Sequence, residues 1–193
     1  MGKVTTAYLL TCAAIGVAGG IVLAVGWWLS VALFATVPFA SVAIAGLWVM
    51  PAVIALRLLQ RPFAGLLVGF ISGLVLAPFY TASAILTTLF WSFFPELPFL
   101  VTLYRRWNTW LHYAGALVMA ISYLLFAAPS FDLWAMAPGV FVGFVALCAA
   151  SCVAGTFLAI VIADRLRAAG VARLARRRMP APADATTPAA PAS

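Results

Sequence analysis

Charged residues are scarce in this sequence. Asp, Glu, Lys and Arg together make up 8% of its 193 residues, whereas a typical soluble domain contains about 25%. Hydrophobic residues make up 66%, and a chain of this length leaves too much of its surface exposed to hide them all from water. The composition therefore excludes an ordinary water-soluble globule and predicts an integral membrane protein.

Residues that support catalysis or metal binding are also few. The only lysine is Lys3, so the chain has no phosphate-binding loop of the kind that needs a lysine. His112 is the single histidine, and Cys12, Cys148 and Cys152 lie in apolar stretches without a metal-ligand pattern or a disulfide framework. The sequence also lacks zinc-protease and serine-hydrolase motifs and a pair of acids for acid–base chemistry. We therefore expect no catalytic residue, no metal site, no cofactor and no enzymatic activity.

Long apolar runs are abundant, by contrast. A helix needs about 20 apolar residues, within a range of roughly 17–25, to cross a membrane. The runs are continuously apolar and do not alternate, which favours helices over a β-barrel. The sequence predicts an all-α protein with six transmembrane helices near 7–29, 39–58, 62–79, 83–104, 109–128 and 137–163.

The basic residues predict the orientation of these spans. All 11 Lys and Arg residues fall on one side, whereas Asp132 is the only charge in the loops predicted on the other side, at about 30–38, 80–82 and 129–136. The positive-inside rule places the basic side, with both chain termini, in the cytoplasm of a multi-pass cell-membrane protein. The net charge of +7 therefore indicates membrane-flanking segments, and we expect no nucleic-acid partner.

The chain divides into three predicted parts. Residues 1–163 form the transmembrane domain, and 164–179 form a basic juxtamembrane segment that lies at the lipid interface. Residues 180–193 are rich in proline and alanine without any periodicity, which predicts a disordered tail.

Glu96 is the only acidic residue within the predicted spans. Intramembrane acids usually mark a functional site, because a carboxylate is costly in lipid. Pro95 and Pro98 each remove a backbone hydrogen bond, which predicts that the fourth helix is broken there. A broken helix with an acid and nearby aromatic residues indicates a binding pocket. The alternative is a packing role, in which Glu96 forms an interhelical hydrogen bond with Ser72, Ser122 or His112.

Short segments of the sequence resemble a known family. The similarity is to the substrate-binding S component of energy-coupling-factor (ECF) transporters, in the YkoE-like branch linked to thiamine and its hydroxymethylpyrimidine precursor. The segments that carry it are GLWVMP at 46–51, RPFAG at 61–65, PEL at 95–97, YRRW at 104–107 and RLRAAGV at 165–171.

The resemblance implies a six-helix subunit that captures a vitamin or precursor and works with a membrane coupling protein and two ATPase subunits. Ala14 and Ala18 match the alanine face by which S components contact the coupling protein. Glu96 corresponds to the family's membrane glutamate and would bind the polar or cationic edge of the ligand. We expect aromatic side chains to pack against the ligand's faces, namely Trp48, Trp91, Tyr80 and Tyr123.

Two other functions are compatible with the sequence. The first is a non-transport membrane scaffold or interaction protein, in which Glu96 is a packing residue. The second is an intramembrane enzyme, for which the sequence offers no second catalytic group beside Glu96.

Overall fold

The computed structural model of the chain describes residues 5–171. Within them the secondary structure is helical and contains no strand, which confirms the all-α prediction. Lys3, the later part of the predicted basic segment and the predicted tail lie outside the described residues. The helices are α1 (Thr6–Thr36), α2 (Pro38–Val42), α3 (Ala45–Leu59), α4 (Ala64–Leu76), α5 (Ala84–Val101), α6 (Thr109–Phe131) and α7 (Pro138–Ala168), with a 3₁₀ turn at Leu133–Ala135 before α7.

Five stretches within residues 5–171 are long and apolar enough to cross a membrane. They are α1, α2 together with α3, α5, α6 and α7, and they confirm a multi-pass membrane protein. The predicted span at 62–79 corresponds to α4, which has only 13 residues. A helix of that length covers about 20 Å, less than the hydrocarbon thickness of about 30 Å. The count of six spans therefore stays a prediction.

The predicted break in the fourth span was wrong. α5 is one continuous α-helix that contains both Pro95 and Pro98. Each proline removes one backbone hydrogen bond, but close packing by neighbouring helices lets membrane helices keep their course through a proline. Gly115 of α6 provides that packing, because a Cβ at Gly115 would lie only 2.7 Å from the carbonyl oxygen of Pro95.

α3 lies in the centre of the bundle, where α7 crosses it very closely. A Cβ on Gly46 of α3 or on Gly155 of α7 would collide with the backbone of the other helix. The Ser151 hydroxyl accepts a hydrogen bond from the Gly46 N–H at 2.9 Å and donates one to the Ala43 carbonyl at 2.6 Å. Leaving such a buried amide unsatisfied would cost about 1–3 kcal/mol, so Ser151 fixes the start of α3.

α4 packs between α1 and α5 through small residues. The Ser72 hydroxyl of α4 donates a hydrogen bond to the Gly16 carbonyl of α1 at 2.9 Å. On its other side, a Cβ on Gly69 would collide with the Ser92 side chain of α5. Small residues of this kind allow close helix contacts where lipid provides no hydrophobic driving force.

Successive long helices alternate in direction, so the bundle has two ends. The basic end contains the start of α1, the α3–α4 and α5–α6 turns and the end of α7, together with every Arg among residues 5–171. The aromatic end contains the end of α1, α2, the starts of α3 and α5 and the end of α6. Which end faces the cytoplasm stays a prediction.

Candidate functional site

A cavity of about 420 Å³ opens at the aromatic end of the bundle. This volume falls within the range of roughly 300–1,000 Å³ that is typical of small-molecule sites. The helices that enclose it are α1, α2, α3, α5 and α6, and Tyr80 contributes from the α4–α5 turn. The aromatic side chains along its walls are Trp27, Phe34, Trp48, Tyr80, Trp91, Tyr123, Phe126 and Phe131.

Five of the aromatic rings of the cavity form two groups. Trp91 lies between Trp48 and Tyr123, with ring centroids 6.1 Å from the first and 5.0 Å from the second. In the other group, the centroids of Trp27 and Tyr80 are 4.1 Å apart. The structure thus brings the four aromatic residues that the sequence suggested, Trp48, Trp91, Tyr80 and Tyr123, to one cavity, and their contact with a ligand stays a prediction.

Sequence reasoning missed the other aromatic walls of the cavity, Trp27, Phe34, Phe126 and Phe131. Trp27 and Phe34 lie seven residues apart on α1, which places them on one helix face. Many other apolar residues of α1 have the same spacing, so the pattern alone does not single out this pair.

Besides the indole N–H groups of its tryptophans, the side-chain polar groups that line the cavity are hydroxyls. They belong to Tyr80, Tyr123, Ser30, Ser41, Thr87 and Ser130. The Ser41 hydroxyl donates to the Pro38 carbonyl at 2.6 Å, whereas those of Ser30, Thr87 and Ser130 form no hydrogen bond with another residue in the range 5–171. These free hydroxyls are available to a bound molecule.

Glu96 does not line this cavity. It is 2% exposed and lies further along α5, towards the basic end. One carboxylate oxygen accepts the Leu66 N–H at 2.8 Å, and the other accepts the Tyr104 hydroxyl at 2.9 Å. α4 has no side-chain cap of its own at Phe63, so Glu96 caps it from a neighbouring helix, where a carboxylate is also favoured by the helix dipole.

The partners of Glu96 differ from those that the packing alternative predicted. Ser72 donates to the Gly16 carbonyl, Ser122 donates to the Val118 carbonyl, and His112 packs against Phe99 with ring centroids 4.8 Å apart. A packing role for Glu96 therefore has an observed geometry, although with other partners.

Tyr104 connects Glu96 to the turn between α5 and α6. Burial raises the pKa of the Tyr104 hydroxyl, and the nearby Glu96 carboxylate raises it further, so this hydroxyl keeps its proton and remains a donor. Leu103 and Tyr104 both have left-handed backbone conformations, with φ of 51° and 56°, which are unfavourable for such residues. The hydrogen bond to Glu96 holds this strained turn in place.

An ion pair ties three helices together at the basic end. Arg57 of α3 donates from Nε to Asp164 Oδ1 at 3.0 Å and from Nη2 to Asp164 Oδ2 at 3.1 Å. Its Nη1 also donates to the Thr109 hydroxyl at the start of α6, at 3.2 Å. A two-point arginine–carboxylate contact of this kind fixes both distance and direction.

Ala14 and Ala18 lie on the outer side of the bundle. Both are exposed, and both line an apolar groove of about 620 Å³ between α1, α3 and α7. The floor of the groove is formed by α3, at Met50, Pro51 and Ile54. The structure thus leaves this alanine face unpacked, and its contact with a partner stays a prediction.

Comparison with known proteins gives a family and a fold. The family model described as "ABC-type cobalt transport system, permease component" matches residues 8–122, which is more than half of the chain. The structure is similar to a solved structure described as "an S-component of ECF transporter", with a TM-score of 0.77 over 89% of each chain and 17% sequence identity. No curated protein sequence matches the chain.

Proposed function

The chain belongs to the family described as the permease component of the ABC-type cobalt transport system, and on this premise we propose that it is the substrate-capture subunit, or S component, of an energy-coupling-factor importer. The observation that carries the proposal is the aromatic cavity at the end of the bundle opposite the arginines. With the basic end in the cytoplasm, this cavity opens to the outside, where a capture subunit meets its ligand.

The ligand that we propose is a planar organic molecule: thiamine, hydroxymethylpyrimidine or a related vitamin precursor. Trp48, Trp91, Tyr80 and Tyr123 supply aromatic faces for stacking or cation–π contacts. The family's description names cobalt, but no group of three or more His, Cys, Asp or Glu residues within 5–171 is arranged to hold a metal ion. The donor set therefore favours an organic ligand over a free cobalt ion.

The proposed subunit draws its energy from partners. Its only lysine is Lys3, which leaves it without the lysine of an ATP-binding loop, so ATP hydrolysis belongs to two partner ATPase subunits. The apolar groove beside Ala14 and Ala18 is the proposed docking site for an apolar helix of the membrane coupling protein.

The first test uses two adjacent tryptophans of α1. Trp27 lines the cavity, whereas Trp28 is 63% exposed and is absent from the cavity wall. Binding of radiolabelled thiamine and of hydroxymethylpyrimidine is measured on the detergent-purified chain. We expect Trp27→Ala to weaken binding of the true ligand by about 10-fold, because a stacking contact contributes about 1–3 kcal/mol, and Trp28→Ala to change it by less than about twofold.

Two outcomes would contradict this proposal. If a folded preparation binds neither compound, the ligand assignment fails. If Trp27→Ala and Trp28→Ala weaken binding equally, the cavity is not the binding site.

The partner contact is tested by filling the groove. The double variant Ala14→Leu and Ala18→Leu should abolish co-purification of the chain with a membrane complex that contains ATPases. The control is Ala32→Leu, one enlargement of the same kind on the exposed far part of the same helix. Retention of the complex in the double variant would exclude this face as the docking site.

A non-transport scaffold is the second candidate, because Glu96 has a demonstrable packing role with Leu66 and Tyr104. This function predicts that the purified chain binds no small molecule and co-purifies with no ATPase. Co-purification of an ATPase-bearing complex decides between the two candidates.

A further inference from the structure

The aromatic cavity contains no charged side chain. None of the residues that line it is Lys, Arg, His, Asp or Glu, and its polar side-chain groups are uncharged hydroxyls and indole N–H groups. An anion in such a place would lose its hydration without meeting a positive charge, which costs several kcal/mol. The charged side chain at this end of residues 5–171 is that of Asp132, which is negative and exposed. It directly follows Phe131 of the cavity wall.

Some of the backbone amides beside the cavity are also engaged. Helix N-termini can bind anions through free N–H groups, and both α3 and α5 begin at this end. At the start of α3, the Gly46 N–H donates to Ser151 and the Leu47 N–H donates to Ile44. At the start of α5, the Thr87 N–H donates to Ser83. These amides therefore offer an anion little compensation.

The aromatic faces favour the opposite charge. The negative face of an indole or phenol ring attracts cations, most strongly when the contact is desolvated. Neutral planar rings also stack on such faces without any charge to neutralise. Trp27 and Tyr80 on one side, with Trp48, Trp91 and Tyr123 on the other, provide these faces.

From these observations we propose that the cavity selects by charge: it accepts a neutral or cationic planar ligand and rejects the same ligand when it carries a phosphate or carboxylate group. The inference rests on the proposed capture function and adds its selectivity. A phosphate ester must then be hydrolysed before capture: water attacks phosphorus, the P–O ester bond breaks, and the free alcohol and inorganic phosphate result. The supplying reaction is therefore of the phosphatase class.

The test compares thiamine with thiamine monophosphate, which share both rings and differ in the phosphate. Binding to the full chain is measured by calorimetry at fixed ionic strength. We expect the monophosphate to bind at least about 100-fold more weakly, as suits an uncompensated buried charge. Equal binding, within about threefold, would overturn the proposed selectivity and leave the capture function intact.

If neither compound binds, the thiamine assignment fails but the charge selectivity can still be decided. Quenching of Trp27 is obtained as the difference in fluorescence between the chain and its Trp27→Phe variant. Neutral acrylamide should quench this signal, whereas iodide at the same ionic strength should not. Equal quenching by iodide would overturn the proposal without any reference to a ligand.

A gain-of-function variant provides an independent test. Thr87→Arg adds a guanidinium to the cavity wall, whereas Ala82→Arg adds the same charge to the exposed α4–α5 turn outside it. Thr87→Arg should make the cavity accessible to the anion, measured as monophosphate binding or, where no ligand binds, as iodide quenching of Trp27. Ala82→Arg should leave both near the unmodified values, and the same gain in both variants would contradict selection at the cavity wall.

Discussion

At the basic end of the bundle, two polar clusters are well partnered: Glu96 binds Leu66 and Tyr104, and Arg57 binds Asp164 and Thr109. Nδ1 of the buried His112 is an exception, since it has no hydrogen-bond partner within residues 5–171. At the aromatic end, the hydroxyls of Ser30, Thr87 and Ser130 line a cavity without a hydrogen-bond partner in the described part of the chain. One end is held together by its polar groups, and the other leaves them available.

This difference separates stability from binding along the same helices. α5 belongs to both ends, since Trp91 lies in the cavity wall and Glu96 caps α4 nearer the other end. We expect the polar contacts at the basic end to stabilise the helices while the aromatic end keeps its ring faces open, in line with the uneven stability found across most folds. Substitutions at the two ends should therefore affect different measurements.

The largest effect is expected for Glu96→Ala. Its loss leaves the Leu66 N–H and the Tyr104 hydroxyl without an acceptor, and should lower the free energy of unfolding by about 3 kcal/mol. The three cysteines are buried, so a thiol-reactive fluorophore reports thermal unfolding directly. Ligand affinity of the protein that remains folded should fall by less than about threefold.

Glu96→Gln sharpens the same comparison. Glutamine keeps one acceptor oxygen, so Glu96→Gln should lower the free energy of unfolding by only about half as much as Glu96→Ala does. A variant with unchanged unfolding temperature that no longer binds ligand would contradict the separation of the two ends and show that Glu96 contacts the ligand.

A smaller effect is expected for Arg57→Met. The Arg57–Asp164 pair is partly exposed, with side-chain exposures of 17% and 44%, so its loss should lower stability by about 1 kcal/mol. Arg105→Met at an exposed position of the same end should change stability by less than about 0.5 kcal/mol. Equal unfolding temperatures for the two variants would show that the ion pair does not stabilise the bundle.

The smallest effect on stability is expected at the aromatic end. Thr87→Val removes a hydroxyl that has no partner within residues 5–171 and keeps the side-chain shape, so the unfolding temperature should stay nearly unchanged. Ligand affinity should fall by about 3–10-fold if that hydroxyl binds the ligand. The control is Thr36→Val, whose hydroxyl donates to Ala32 on an exposed part of α1. If Thr87→Val lowers the unfolding temperature, the Thr87 hydroxyl contributes to stability, and the proposed difference between the two ends would be contradicted.

The helical class and four of the eight aromatic residues of the cavity were accessible from the sequence. Hydropathy detects apolar runs directly, and Trp48, Trp91, Tyr80 and Tyr123 stand out as bulky amphipathic side chains in such runs. The extent of α4 was not accessible in this way, because Phe63 in a left-handed conformation and Pro78 after the last turn shorten the helix within an otherwise apolar run.

The surroundings of Glu96 could not be predicted for a different reason. Its partner Leu66 lies 30 residues away along the chain, and no local pattern shows that the start of α4 meets this part of α5. The unbroken course of α5 likewise depends on Gly115 of another helix. Both features depend on contacts between helices, and a rule about a proline or an acid within one span cannot predict such contacts.

The short α4 also affects the lipid around the protein. Phe70 and Leu74 on its outer face are 42% and 48% exposed, so lipid chains contact a helix about 10 Å shorter than the hydrocarbon layer. Bilayers adapt to such a mismatch by local thinning or by tilting of the protein, at a modest cost for each ångström. We therefore expect an uneven annulus of lipid around this protein, and we expect it to sort towards thinner membranes.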